Sequence, residues 1–271
     1  MAMLARAVSR SIPGSQVAFV RFATGTVVTL LALAIARVDL RPRRWGWLIS
    51  RGIFGGLAVL LYFTSIEKVG VGVATLLNYT APVWCLLFGW LFLKERPKRN
   101  AVIALGITMI GVFLVATGKG QHLSVGPWEI LAVSAAVVSG MAITSIRATR
   151  RPTDDGIPSE GNWTVFASFT FVGTLVTLPA VAPPFGHFVS PTATQWILLV
   201  LCALLSVAAQ LLMTSALREI TATRIGILHE LTVVITLFGG WIFFGESLTL
   251  RATLGSAITM GGVIWLVLSE R

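Results

Sequence analysis

The sequence predicts an all-α polytopic membrane protein, on three observations. Of its 271 residues 55% are hydrophobic and only 12% charged, the mean hydropathy is +0.85, and apolar runs of membrane-spanning length recur along the chain. A soluble domain carries about 25% charged residues, so a soluble globule is excluded. A disordered chain is excluded by the apolar content, and a disulfide scaffold because Cys85 and Cys202 cannot build one. The formal net charge is +10. On a soluble domain that excess would point to nucleic acid, but on a polytopic chain basic residues set topology, and no nucleic-acid partner is expected.

Bilayer geometry places the elements. A hydrocarbon core about 30 Å thick takes roughly 20 helical residues, and nine runs of that order lie at 17–36, 47–66, 72–93, 101–117, 130–146, 163–182, 195–217, 225–245 and 252–268. The breaks are Arg41-Pro42-Arg43-Arg44, Arg96-Pro97-Lys98-Arg99, a polar segment at 150–161 and a Pro183-Pro184 loop. Membrane strands would show short segments of alternating polarity, which are absent. Lys and Arg on alternate sides of these spans number fourteen and five, with Arg21 and Arg51 inside spans. The richer side holds the C-terminus, which predicts a multi-pass plasma-membrane protein with a cytoplasmic C-terminus. Arg6 and Arg10 then fall on the wrong side of the first span.

A shift of 151 residues aligns 45–115 with 196–266, with 18 identities in 71 pairs. They cluster: Gly89, Trp90, Phe92 and Glu95 meet Gly240, Trp241, Phe243 and Glu246, and Thr108, Met109 and Gly111 meet Thr259, Met260 and Gly262. A shift of 148 lays Gly25-Thr26 on Gly173-Thr174 and Val28-Thr29-Leu30 on Val176-Thr177-Leu178. The chain reads as a duplication: residues 1–117 with four spans and 118–271 with five. An odd number of spans per unit makes the repeats inverted, as in secondary transporters. The expected architecture is a five-plus-five, ten-helix design lacking most of its first helix, through a misplaced start or a truncation. Residues 1–14 read as the tail of that helix.

The segment LLNYTAPVWCLLFGWLFLKERP, its echo LTVVITLFGGWIFFGESLTL, Arg21 early in its helix and the paired Glu95 and Glu246 resemble the EamA-type members of the drug/metabolite transporter superfamily. The resemblance covers all of the chain except the absent first helix. It implies a ten-helix exporter or facilitator of amino acids or related small metabolites, working through a central cavity between the halves and often exchanging protons. One departure is visible: the family's proline is present at Pro82, but its second-unit counterpart is Val233.

Within the spans, ionisable and polar residues are the candidates for chemistry. Glu230 is the only carboxylate inside them, about 7 to 8 Å below a helix end by rise per residue. It is a candidate proton carrier, though headgroup water can also reach that depth. His229, Thr232, Thr236 and Gly240 form a small or polar stripe matched by Asn78, Ala81, Cys85 and Gly89. This pair suggests two gates, with Asn78 at the outer mouth and His229 at the inner one. Such stripes also serve plain helix packing. Ser206, Gln210 and Thr214 recur at helical spacing near a span's middle, which makes Gln210 the best midplane binding candidate. Tyr62 offers an aromatic plane with a hydroxyl, and Trp84 a stacking surface or a packing residue. Arg21 and Arg51 each lie about one turn from a surface, where they can snorkel; Arg21 is alternatively a ligand for a substrate carboxylate. Glu95 and Glu246 read as structural, and both cysteines as fillers.

No Walker A, GxGxxG, HExxH or CxxC pattern is present, so no cofactor and no metal are expected. The expected partners are the lipid bilayer and a small-molecule substrate, with a homodimer left open. Two other classes remain: an intramembrane enzyme on a lipid-linked substrate, which would need convergent catalytic groups at one depth, and a non-transporting membrane partner protein. If Gln210 and Tyr62 line a path, Gln210→Ala and Tyr62→Ala weaken substrate affinity in uptake assays more than they lower the unfolding temperature. A loss confined to folding would return both to packing.

Overall fold

The computed structural model describes residues 12–117, 126–152, 156–232, 234–235, 238, 242 and 250–268. The expectation for a first helix before residue 12, and the candidates Val233, Thr236, Gly240 and Glu246, lie outside these residues. All regular structure among the described residues is helical: α1 (Gly14–Ala36), α2 (Trp45–Asn78), α3 (Ala81–Leu93), α4 (Arg99–Thr117), α5 (Pro127–Arg150), α6 (Asn162–Thr177) with a 3-10 turn at Leu178–Ala180, α7 (Ala193–Ala216), α8 (Ala222–His229) and α9 (Leu250–Leu268). Six stretches are long and apolar enough to cross a membrane, among them Trp45–Gly70 within α2. At Gly70 the backbone turns to φ 81°, a conformation that glycine adopts without steric cost.

The distribution of side chains identifies the solvent of this bundle. Large apolar residues such as Leu30, Ile197, Leu212 and Ile235 are exposed, while Gln16, Thr29, Thr108, Ser145 and Thr259 are fully buried. Water would reverse that pattern; hydrocarbon permits it, because lipid tails are as apolar as leucine and helices associate through small and polar residues. The buried hydroxyls are satisfied within their own helices. Thr29, Thr108, Thr144 and Thr259 each donate to the carbonyl four residues back.

Two helix pairs join the repeats. In α4 and α9, a Cβ on Gly111 would lie 2.6 Å from the Gly255 carbonyl oxygen, and one on Gly262 would lie 3.1 Å from the Ala104 carbonyl oxygen. The shift of 151 exchanges these two contacts. Helix α1 meets α6 in the same manner: Gly25 packs on Thr170 and Gly173 on Phe22, and Thr26 and Thr174, which occupy equivalent positions, share a hydrogen bond of 3.1 Å. In both pairs the numbering rises along one helix as it falls along the other, which is the register of a local two-fold axis.

The end of the bundle where α1 finishes and α2 begins is tied by arginines. Arg44 donates to the carbonyls of Ala148, Arg151 and Ile157, and the Glu160 carboxylate accepts the N–H groups of Arg43 and Arg44 at 2.6 Å. Arg150 reaches the carbonyls of Thr214 and Glu160, and Arg151 that of Leu93. Arg147 pairs with Glu95 at 2.7 Å and also donates to the carbonyls of Leu217 and Arg218. Most of these acceptors are last-turn carbonyls, which no helical N–H can reach and which carry the negative end of the helix dipole.

The α4–α9 contact sets a stability test. Gly111→Ala forces a methyl against backbone atoms of α9 and is expected to cost about 1–3 kcal/mol, lowering the thermal unfolding midpoint in detergent. Gly261→Ala, with nothing within 4 Å of the added carbon, leaves the midpoint unchanged. Coincident midpoints for the two variants would show that the close approach is not needed.

Candidate functional site

The third and eighth apolar runs are not single helices. The run at 72–93 is interrupted at Tyr79-Thr80, between α2 and α3. There the N–H of Tyr79 bonds to Thr75, that of Thr80 to Leu77 and that of Val83 to the carbonyl of Thr80. Pro82 sits at the start of α3, where its missing N–H costs no helical bond. The eighth run is interrupted at Glu230, whose N–H turns back to the Ile227 carbonyl at 3.1 Å, and it is helical again at Leu231 and Thr232. The shift of 151 places Tyr79 on Glu230 and Asn78 on His229, so the two helices break at repeat-related positions. The breaks lie close together, because Gly226 packs directly on Pro82, with 3.0 Å from its would-be Cβ to the proline Cα.

Among the described residues, three of nine buried side-chain polar atoms without partners lie at or near these breaks. Glu230 is 1% exposed, and its Oε2 has no hydrogen-bond partner; the same holds for Asn78 Oδ1 and Trp84 Nε1. Tyr79 and Cys85 lie close enough to Glu230 to feel its charge. Each orphaned buried group costs about 1–3 kcal/mol, and a cluster of them marks a place that water or a ligand would complete. The Tyr62 hydroxyl shares a 2.9 Å hydrogen bond with Thr75, one turn before the first break.

A second set of groups lines a narrow recess between α1, α6 and α7. Arg21, Phe169, Ser206 and Gln210 form its wall, with room for about one water molecule. Arg51 of α2 reaches two of these wall residues. Its Nη2 donates to Gln210 Oε1 at 2.7 Å, its guanidinium lies 3.8 Å over the Phe169 ring, and its Nε is buried without an acceptor. Arg51 feels the charge of Arg21.

The predicted residues therefore divide between two places. Arg21, Ser206 and Gln210 meet at the recess, while Asn78, Trp84 and Glu230 meet at the breaks, with Tyr62 nearby. Thr214 joins neither: its hydroxyl bonds to the Gln210 carbonyl and its own carbonyl accepts from Arg150. His229 ends α8 as an exposed residue, and its carbonyl accepts from the Thr232 hydroxyl. Arg51, placed by the sequence where it can snorkel, is 4% exposed and is held by Gln210 and Phe169 of the recess wall. Tyr79 and Phe169 were not singled out; the alignment of Tyr79 with Glu230 was the available signal for the former. Among the described residues no group of three or more His, Cys, Asp or Glu could hold a metal.

The comparisons with known proteins agree with this architecture. The pseudopaline exporter of Pseudomonas aeruginosa is 26% identical over 99% of this chain and 89% of its own length. An uncharacterised transporter of Helicobacter pylori is 27% identical over 89% of this chain and 81% of its own, and the riboflavin transporter of Rhizobium johnstonii is 25% identical over 82% and 70%. A solved crystal structure superposes with a TM-score of 0.82, covering 99% of this chain and 92% of its own at 17% identity, which establishes a shared fold. These relatives are transporters, not enzymes. The EamA-like transporter family matches residues 1–117 and 126–268, and the chain belongs to that family.

Proposed function

We propose that this chain is a secondary transporter of a small polar metabolite in the plasma membrane, built from the inverted units 1–117 and 118–271, with its C-terminus in the cytoplasm. The observation that carries the proposal is the pair of helix breaks at Tyr79-Thr80 and Glu230. Interrupted helices in repeat-related positions are how such proteins bring backbone and polar side chains to a site inside the bilayer. The orphaned Asn78 Oδ1, Trp84 Nε1 and Glu230 Oε2 supply groups for a substrate, water or proton to satisfy. The printed names of two relatives, an exporter of pseudopaline and a transporter of riboflavin, support a metabolite as the class of substrate. The Lys and Arg asymmetry supports the orientation. Glu230, buried and ionisable, is the proton carrier in this scheme, with Tyr62 and Asn78 on the substrate path.

Counterflow in proteoliposomes tests transport directly. Vesicles of purified chain, loaded with a mixed pool of amino acids and small metabolites, are expected to exchange at least one labelled solute faster than empty vesicles. Exchange of none would move the reading towards a non-transporting membrane partner. For the proton carrier, Glu230→Gln keeps the shape and removes the titrating group, so rates measured across pH 5 to 8 are expected to become flat while expression is unchanged. A pH profile identical to that of the unaltered chain would remove Glu230 from the coupling scheme.

A further inference from the structure

We propose that the substrate is an organic acid and that Arg21, in the recess between α1, α6 and α7, and Arg51, held against two of its wall residues, together bind the carboxylate. This identification of the substrate class rests on the transport reading above, and no part of that reading requires a charged substrate.

The argument begins with charge. Arg21 shares the recess wall with Gln210 and Phe169, the two residues that hold the Arg51 guanidinium, and no carboxylate of the described residues pairs with either arginine. Asp39, Glu67, Glu95 and Glu219 pair with other cations, Glu129 and Glu160 accept backbone N–H groups, and Glu230 stands at the helix break at the end of α8. Ionisable side chains at this depth in membrane proteins ordinarily pair with one another or with a ligand, because an uncompensated charge in low dielectric is costly. An anion between the two arginines would offset both charges at once.

Geometry supports the same assignment. Gln210 and the Phe169 ring fix the plane of the Arg51 guanidinium. Guanidinium carries five N–H donors, and only one is engaged with Gln210, so donors remain for a carboxylate in the forked arrangement that arginine favours. Phe22, Phe166 and Phe169 give the recess an apolar flank for a carbon skeleton, and Ser206 gives it a hydroxyl. The present free space is about that of one water molecule, so the wall must part to admit the solute.

The repeat shifts turn Arg51 into Cys202 and Arg21 into Phe169, so both positive charges come from the first repeat and neither from the second.

The test is thermal unfolding of the purified full-length chain, followed by tryptophan fluorescence at constant ionic strength, with glutarate, glutamate, citrate, the neutral analogue glutaramide, and inorganic phosphate. At least one carboxylate is expected to raise the midpoint saturably while glutaramide does not, because a ligand that binds only the folded state stabilises it. Its apparent affinity is expected to fall at least ten-fold in Arg21→Gln and in Arg51→Gln. Equal shifts with glutarate and glutaramide, no shift with any carboxylate, a shift with phosphate alone, or full affinity in both variants would each overturn the proposal. If either variant fails to fold, the comparison of acid with amide on the unaltered chain still decides. Counterflow separates the two readings: exchange of only neutral or cationic solutes would sink this assignment and leave transport standing. Carboxylate-dependent stabilisation without exchange of any solute would do the reverse.

Discussion

Inside a bilayer no water is at hand to satisfy a polar group, and nearly every feature of this bundle answers that constraint. Threonine hydroxyls fold back onto the preceding turn. Arginine side chains close the free carbonyls at helix ends. Gln16, fully buried, exchanges two hydrogen bonds with the backbone of Val189, stitching the start of α1 to the loop ahead of α7. Against this background of satisfaction the exceptions stand out, and several of them fall where α2 gives way to α3 and where α8 ends. The same rule that stabilises the scaffold is therefore the one that makes these exceptions conspicuous.

The fold was legible in the sequence because hydrophobicity, loop charge and the duplication all report on the bilayer and on topology. The helix breaks were harder to see. A hydropathy window registers composition and not hydrogen bonding, so the runs at 72–93 and 225–245 looked continuous; Pro82 hinted at the first break, while Glu230, with no proline after it, gave no such hint. Arg51 was misread because rise along its own helix placed it near a surface, whereas its environment is made by Gln210 and Phe169, both more than one hundred residues away. Glu230, Asn78 and Trp84 could be picked out in advance because polar or ring-bearing groups in a span are rare. Whether each would find a partner depends on tertiary packing, which is why Thr214 turned out to serve its own helix.

The basic residues carry two kinds of information at once. Arg44, Arg147, Arg150 and Arg151 were counted as topology signals, yet each is anchored to carbonyl groups or to Glu95. Held this way, they draw the ends of α3, α5 and α7 together with the chain leading into α2. The charge bias that orients insertion also shuts this end of the bundle in the described conformation. Any opening here must break several charge-assisted bonds together, so it would proceed as a concerted event.

The duplicated contact between α4 and α9 has a further meaning. Gly111 against Gly255, and Gly262 against Ala104, are one contact written twice, and a surface that meets its own copy about a two-fold axis is what a symmetric dimer presents. This helix pair thus has the form of a subunit interface enclosed within one polypeptide. Drift at either copy disturbs a contact that the other copy still specifies, so the two helices are bound to diverge in step, while Arg21 and Arg51, whose counterparts are Phe169 and Cys202, show how far positions off that seam have been free to part.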